Sequence, residues 1–281
     1  MTQRIWMITG ISSGFGRRLA EQLLDRGDTV VGTVRKPEST ADLAARYPDT
    51  FHGEVLDIRD TPAVRAAVDG AVARFGRIDV AVSNAGYGVF GAAEELSDEQ
   101  IDAIIATNLV GSIQFIRAVL PHMRAARRGR IIQLSSYGGQ VAFPGNSLYH
   151  ATKWGIEGFA ESVAQEVAPF GIGVTIVEPG GARTEFRSGS AQVATPISAY
   201  ARTPARSFEA MLDPAKSPPA PGDPARMATA IIDSVDVSPA PLRIVLGSQA
   251  LTSTITTLQK RLDDFQTQTG LAATTDYPNG S

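Results

Sequence analysis

The chain has 281 residues, with 26 Lys+Arg against 29 Asp+Glu and a formal net charge of -3; this length makes one large domain or two small ones, and the slightly acidic balance argues against a nucleic acid or an anionic membrane held by electrostatics. A hydrophobic fraction of 43% and a charged fraction of 20% belong to a packed globule rather than a disordered chain. The absence of Cys excludes disulfides, thiolate nucleophiles and cysteine zinc sites, and three scattered His (His52, His122, His150) suggest no metal cluster.

No apolar stretch follows a basic one within Met1–Gly10, so no secretory signal is expected. No apolar run is expected to reach the roughly 18 residues that span a bilayer, which makes a cytoplasmic protein without a membrane partner the default. The first strand, Ile5–Thr9, runs into Gly10-Ile11-Ser12-Ser13-Gly14-Phe15-Gly16 and then a helix over Gly14–Arg26. Glycines let the backbone approach a pyrophosphate, and a helix N-terminus offers free N–H groups to it, so this segment reads as a nucleotide loop. Its spacing is Gly-x-x-x-Gly-x-Gly rather than Gly-x-Gly-x-x-Gly.

The second strand, Thr29–Val34, ends in Val34-Arg35-Lys36. A site for NAD places a carboxylate at this strand end to accept from the ribose hydroxyls. Here Val34 takes that place and two cations follow, which suits a 2′-phosphate and favours NADP over NAD. A short helix over Ala41–Tyr47 precedes a strand at Phe51–Leu56, after which Asp57 is positioned to accept from an adenine amino group. A helix over Thr61–Phe75, a strand over Ile78–Ser83 and a long helix over Asp98–Arg127 follow, the last opened by Ser97 as a cap. Asn108 falls in the middle of that helix, where an amide has poor intrinsic propensity.

The strand Ile131–Ser135 delivers Ser135 and Ser136 to the carboxyl edge of the sheet, where ligands sit in such folds. In the next helix, Leu148–Pro169, Tyr149 and Lys153 lie four apart and share a face. An ammonium beside a phenol lowers its pKa and would make Tyr149 an acid or base near neutral pH. His150 points off that face and reads as a structural or surface residue. A strand at Gly173–Val177 completes six, and Leu242–Leu246 adds a late one. Buried strands alternating with helices imply an α/β fold: a single domain built on a doubly wound parallel sheet of about seven strands with helices on both faces. Residues 184–224, interrupted by Pro196, Pro204, Pro214, Pro218, Pro219 and Pro221, read as a lid with short helices near Ala205–Leu212 and Asp223–Val235. Residues 270–281, small and polar, are expected to fray.

Taken in order, these segments make the chain resemble the short-chain dehydrogenases/reductases over about Ile5 to Phe186, with its NADP-preferring members the nearest in look. Gly10, Ser12, Ser13, Gly14, Phe15 and Gly16 look like the family's cofactor loop, and Asn84-Ala85-Gly86 like its Asn-Ala-Gly signature. Asn108, Ser136, Tyr149 and Lys153 match its catalytic tetrad, the family spacing of 13 positions before Tyr149 selecting Ser136 over Ser135. Pro179, Gly180 and Thr184 look like the segment that holds the nicotinamide amide. The resemblance implies hydride transfer between NADP(H) and a carbonyl or secondary alcohol. Ser136 would bind the substrate oxygen and Tyr149 would exchange the proton. Lys153 would lower the Tyr149 pKa and hold the ribose, and Asn108 would anchor a water. Tyr87, Phe90, Tyr137, Phe143 and Phe186 stand near these motifs and suggest an apolar substrate. The resemblance further implies that the two long helices pair across a homodimer or homotetramer. A non-catalytic NADP-binding sensor or scaffold on the same fold is the alternative.

Overall fold

The structure, a computed structural model, describes residues 3–213 and 219–277. Pro214 and Pro218 of the expected lid, and Pro278–Ser281 of the expected fraying tail, lie outside the described residues. Seven parallel strands form one sheet: β1 (Ile5–Thr9), β2 (Thr29–Val34), β3 (Phe51–Val55), β4 (Val80–Ser83), β6 (Gly129–Leu134), β7 (Ile172–Pro179) and β9 (Arg243–Leu246). Their order is β3-β2-β1-β4-β6-β7-β9. The strands face both layers with period two. Trp6 and Ile8 join one core and Met7 the other; Val80 and Val82 join the first and Ala81 the second. β3 departs from the expected two-sided burial, because it is the sheet edge: of Phe51–Val55 only Phe51 is buried.

Helices α1 (Gly14–Asp25) and α8 (Pro224–Ser234) cover one face through Leu19, Leu23, Ile231 and Ile232. The other face is covered by α3 (Thr61–Phe75), α5 (Ser112–Ala126) and α6 (Ser147–Val167). A short α2 (Ala41–Arg46) follows β2. The long helix expected over Asp98–Arg127 is continuous but not uniform: α4 (Asp98–Ile104) passes through a π-helical stretch, Ile105–Gly111, into α5. Ser97 caps it as expected, its Oγ accepting from Gln100 N at 3.3 Å while Gln100 Oε1 accepts from Ser97 N at 3.2 Å. Joined end to end, Asp98–Ala126 corrects one expectation. An 18-residue window of mean hydropathy 1.6 makes it long and apolar enough to cross a membrane by length and composition, with 39% of that window buried in the protein.

Four elements escape the sequence reading. β5 (Val89–Phe90) and β8 (Gln192–Val193) make a small parallel pair. α9 (Ser248–Gln266) follows β9, and α10 (Thr269–Ala273) lies within the stretch expected to fray. The proline-rich excursion is docked on the body before it enters α7 (Ser207–Leu212). Arg206 pairs with the buried Glu95, whose Oε1 also accepts from Ile197 N at 2.7 Å, and Phe208 stacks on Phe90 at 5.9 Å between centroids.

Candidate active site

The order of strands reverses between β1 and β4, and a cavity of about 610 Å³ opens at their carboxyl ends. One end is the glycine loop. Gly10 (φ +72) and Gly14 (φ +59) occupy left-handed backbone that side chains rarely adopt. Ser13 caps α1 without a side-chain hydrogen bond. A Cβ on Gly16 would stand 2.3 Å from Gly10 O and 2.5 Å from Asn84 Nδ2, so the close turn admits only hydrogen there. Gly10, Ser12, Ser13, Gly14 and Phe15 line the cavity, whereas Gly16 packs beneath it. These features fit a dinucleotide's phosphates.

Asn84 lines the same wall, but its amide is spent internally. Nδ2 donates to Thr9 O and Gly10 O, each at 2.9 Å, tying the glycine loop to β4. Ala85 and Gly86 complete that stretch of the lining. Where β2 ends on the cavity stands the exposed Arg35 after the buried Val34, as the strand end suggested. Asp57 is there too, but its carboxylate is clasped by Arg59, with Nε at 3.0 and 3.1 Å and Nη2 at 2.6 Å. The expected acceptor for an adenine amino group is thus engaged by a guanidinium that the sequence reading passed over. Arg59 holds the Asp57 carboxyl below its usual range. The only sequence signal was its place two residues after Asp57.

At the other end, α6 brings Tyr149 and Lys153 to the cavity beside Ser136. Ser136 caps a turn at Tyr137–Gly139, its Oγ accepting from Gly138 N at 3.0 Å. Its hydroxyl neighbours the Tyr149 phenol and acts to lower the phenol's pKa. Ser135 turns the opposite way and donates to Glu157 Oε1 at 2.6 Å, which leaves Ser136 as the serine beside Tyr149. Lys153 Nζ donates to Leu134 O at 2.9 Å and stands 5.7 Å from the centre of the Tyr149 ring.

The expected lowering of the Tyr149 pKa is reversed in this structure. Burial pushes the phenol up to about 12, against the Ser136 hydroxyl, and pushes the Lys153 ammonium down to about 8. Desolvation disfavours each charged form and is the largest cause of both shifts. Asn108 is 1% exposed and does not line the cavity. Its Nδ2 donates to Tyr87 O at 2.8 Å and Thr152 Oγ1 at 3.3 Å, while Oδ1 accepts from Tyr87 N at 3.0 Å. The π-helical turn thus sets an amide clamp between the loop after β4 and α6.

Pro179, Gly180 and Thr184 line the far wall, Thr184 3.9 Å from where a Gly14 Cβ would stand. The five aromatics named from sequence all line the cavity, and Phe186 lies 5.7 Å from Tyr149 between ring centroids. His150 is buried rather than on the surface. Its Nδ1 accepts from Phe143 N at 3.3 Å, and burial pushes its pKa down to about 4. The sequence reading also missed the support behind the Ser136 turn. Trp154 Nε1 donates to Gly138 O at 3.0 Å, and Arg261 of α9 donates to Gln140 O at 2.6 Å while lying 4.4 Å over the Trp154 ring. Among the described residues no group of three or more His, Asp or Glu could hold a metal.

Residues 4–193 match the family model described as short chain dehydrogenase. The chain is 37% identical to oxidoreductase BOA17 of Botryotinia fuckeliana over 249 residues, which is 88% of this chain and 90% of that one. A crystal structure of a short-chain dehydrogenase from Streptomyces avermitilis is 37% identical, with a TM-score of 0.91 over 99% of this chain and all of that one. The NADP-bound structure of ElxO is 25% identical, with a TM-score of 0.73 over 89% of this chain and 100% of that one.

Proposed function

This chain belongs to the short-chain dehydrogenases, oxidoreductases of CH–OH and C=O groups, and from that premise we propose that it is an NADP(H)-dependent reductase of an apolar carbonyl compound, working reversibly on the secondary alcohol. The observation that carries the reading is the meeting of Ser136, Tyr149 and Lys153 in one cavity with the glycine loop. When bound there, the nicotinamide supplies or takes the hydride. Ser136 Oγ binds the substrate oxygen. Tyr149, held protonated by burial, is in the form that donates to a carbonyl as it is reduced. Lys153 Nζ, anchored on Leu134 O beside the phenol, would hold the ribose of a bound cofactor. The aromatic wall of Tyr87, Phe90, Phe143 and Phe186 excludes water and favours an apolar substrate body.

Three observations support NADP: no carboxylate at Val34, the exposed Arg35, and Arg59 poised on Asp57 beside it. The similar ElxO has been solved with NADP bound. The deciding experiment is a turnover screen of aldehydes, ketones and secondary alcohols with NADP(H) and NAD(H) in parallel. Turnover favouring NADP(H) on apolar carbonyls is the expected result. Tight binding of NADP(H) without turnover of any substrate would leave a non-catalytic binder.

A further inference from the structure

Outside the cavity, against the turn that carries Ser136, lies a cluster of acids that the mechanism above does not use. Glu157 follows Lys153 by one helical turn and is 3% exposed; Glu178, near the end of β7, is 1% exposed. The two carboxyl groups are neighbours that share two donors, Gln140 Nε2 and Arg243 Nε, each reaching Glu157 Oε2 and Glu178 Oε1. The charged groups facing them are few. Arg243 of β9 places Nε 3.5 Å from Glu157 Oε2 and 3.2 Å from Glu178 Oε1, but its Nη2 is committed to Glu161 at 2.6 Å. Lys153 is attracted by Glu157 from the same helix, and Arg261 of α9 reaches only the carbonyl of Gln140. The neutral donors are Ser135, at 2.6 Å from Glu157 Oε1, and the Gln140 amide, which donates to Glu157 Oε2 and, at 3.4 Å, to Glu178 Oε1.

Three carboxyl groups thus meet one guanidinium. With every acid ionised, Glu178 Oε2 is buried with no hydrogen-bond partner. Such an atom costs its full desolvation, and two adjacent buried carboxylates repel. A proton held on the Glu178 carboxyl removes the repulsion and gives it a hydrogen to donate toward the carboxylate of Glu157. We propose that Glu178 and Glu157 share one proton, and that the pair is a positioning device that holds the Ser136 turn and Lys153 in register. Glu157 grips that turn at both ends, through Ser135 and through Gln140. Between them Gly139 passes so close that a Cβ would stand 1.9 Å from Glu157 Oε1. The carboxyl of Glu178 responds as a shared proton requires: burial first, then Glu157, push it up to about 7.

The positioning half of this inference rests on the reductase reading; the shared proton does not. The test therefore has two readouts. Infrared titration of the full-length protein across neutral pH is expected to show the carbonyl band of one buried carboxylic acid, lost as pH rises and absent from Glu178→Gln. The same band in the variant, or none in the wild type, would overturn the proposal. In turnover, Glu178→Ala, which removes the donor, is expected to lower kcat by about tenfold or more. Glu178→Gln, whose amide can still donate to Glu157, restores most of that loss and removes the near-neutral ionisation from the pH profile of kcat. An unchanged pH profile in Glu178→Gln would sink the positioning role. A wild type that turns over no substrate would sink the reductase reading and leave the infrared result standing; if Glu178→Ala fails to fold, the Glu178→Gln variant decides alone.

Discussion

Tyr149 and Lys153 meet because four helical residues return a side chain to the same face, yet their protonation is decided by what surrounds them. Replacing Tyr149 by Phe removes one hydroxyl and is expected to leave fold and cofactor binding intact while turnover falls by about 10²–10⁴-fold. Lys153→Met is expected to lower turnover and weaken cofactor binding as well, and the two losses should not add in the double variant, because the side chains act as one unit. Near wild-type rates in Tyr149→Phe would remove the phenol from the reaction. At the adenosine end, Arg35→Ala is expected to raise the KM for NADPH far more than that for NADH, with Arg59→Ala acting in the same direction. Equal effects on both cofactors would remove the 2′-phosphate from the account. His150 gives a pH dependence whose sign follows from its burial. Its folded pKa of about 4 lies below the ordinary value of 6.5, so the unfolded chain takes up a proton first as pH falls. Stability is full above pH 6.5 and is lost as pH falls toward about 4, by about 3 kcal/mol. His150→Asn, which keeps an acceptor for Phe143 N, is expected to flatten the denaturant midpoint over that window. A midpoint that still falls with acid as in the wild type would assign the loss to another group.

The elements that frame the site differ in how firmly they are tied. The glycine loop is fixed by the Asn84 amide, and the Ser136 turn by Trp154, Gln140 and Glu157. The excursion after Thr184 has a different construction. Among its described residues it holds to the body through Arg206 and Ile197 on Glu95, Tyr200 on Glu94 at 2.8 Å, Phe208 on Phe90 and the two-residue pairing of β5 with β8. Segments of this kind, adjoining a cavity, open and close with ligands. Limited proteolysis is expected to cut within residues 184–224 in the free protein and to slow when NADPH and a substrate analogue are added together. Cleavage indifferent to both ligands would show that the segment is not a lid.

At the scale of the whole molecule, the described residues leave apolar side chains outside the core on the Asp98–Ala126 run and on α9. The run Asp98–Ala126 buries 39% of its most apolar window, with Val110 and, on α6, Trp154 left exposed. Along α9, Leu251, Ile255, Leu258, Leu262 and Phe265 are exposed at alternating spacings of four and three. Apolar patches of this extent mark contact surfaces. We expect a homodimer or homotetramer formed through the α4–α5 run and α6, and sedimentation equilibrium at micromolar concentration measures it. A monomer there would refute the assembly.

Local physics made much of this protein legible from its residues. Strands apolar on consecutive positions had to be buried on both faces, and their alternation with helices required parallel crossovers. The glycine spacing and the Tyr149–Lys153 face are determined within a few residues, so both could be read before any tertiary contact was known. What stayed hidden depends on residues far apart in the chain. β5 and β8 pair two residues each across about a hundred positions, too short a signal to read from pattern. Arg59 was ordinary until the fold set its guanidinium on Asp57 at the cavity. Glu157 and Glu178 became neighbours only when α6 packed on β7. The Tyr149 pKa is the sharpest case. The sequence showed the lysine one turn away, which lowers it, whereas desolvation sums over every atom packed around the phenol, and that sum exists only in the folded chain.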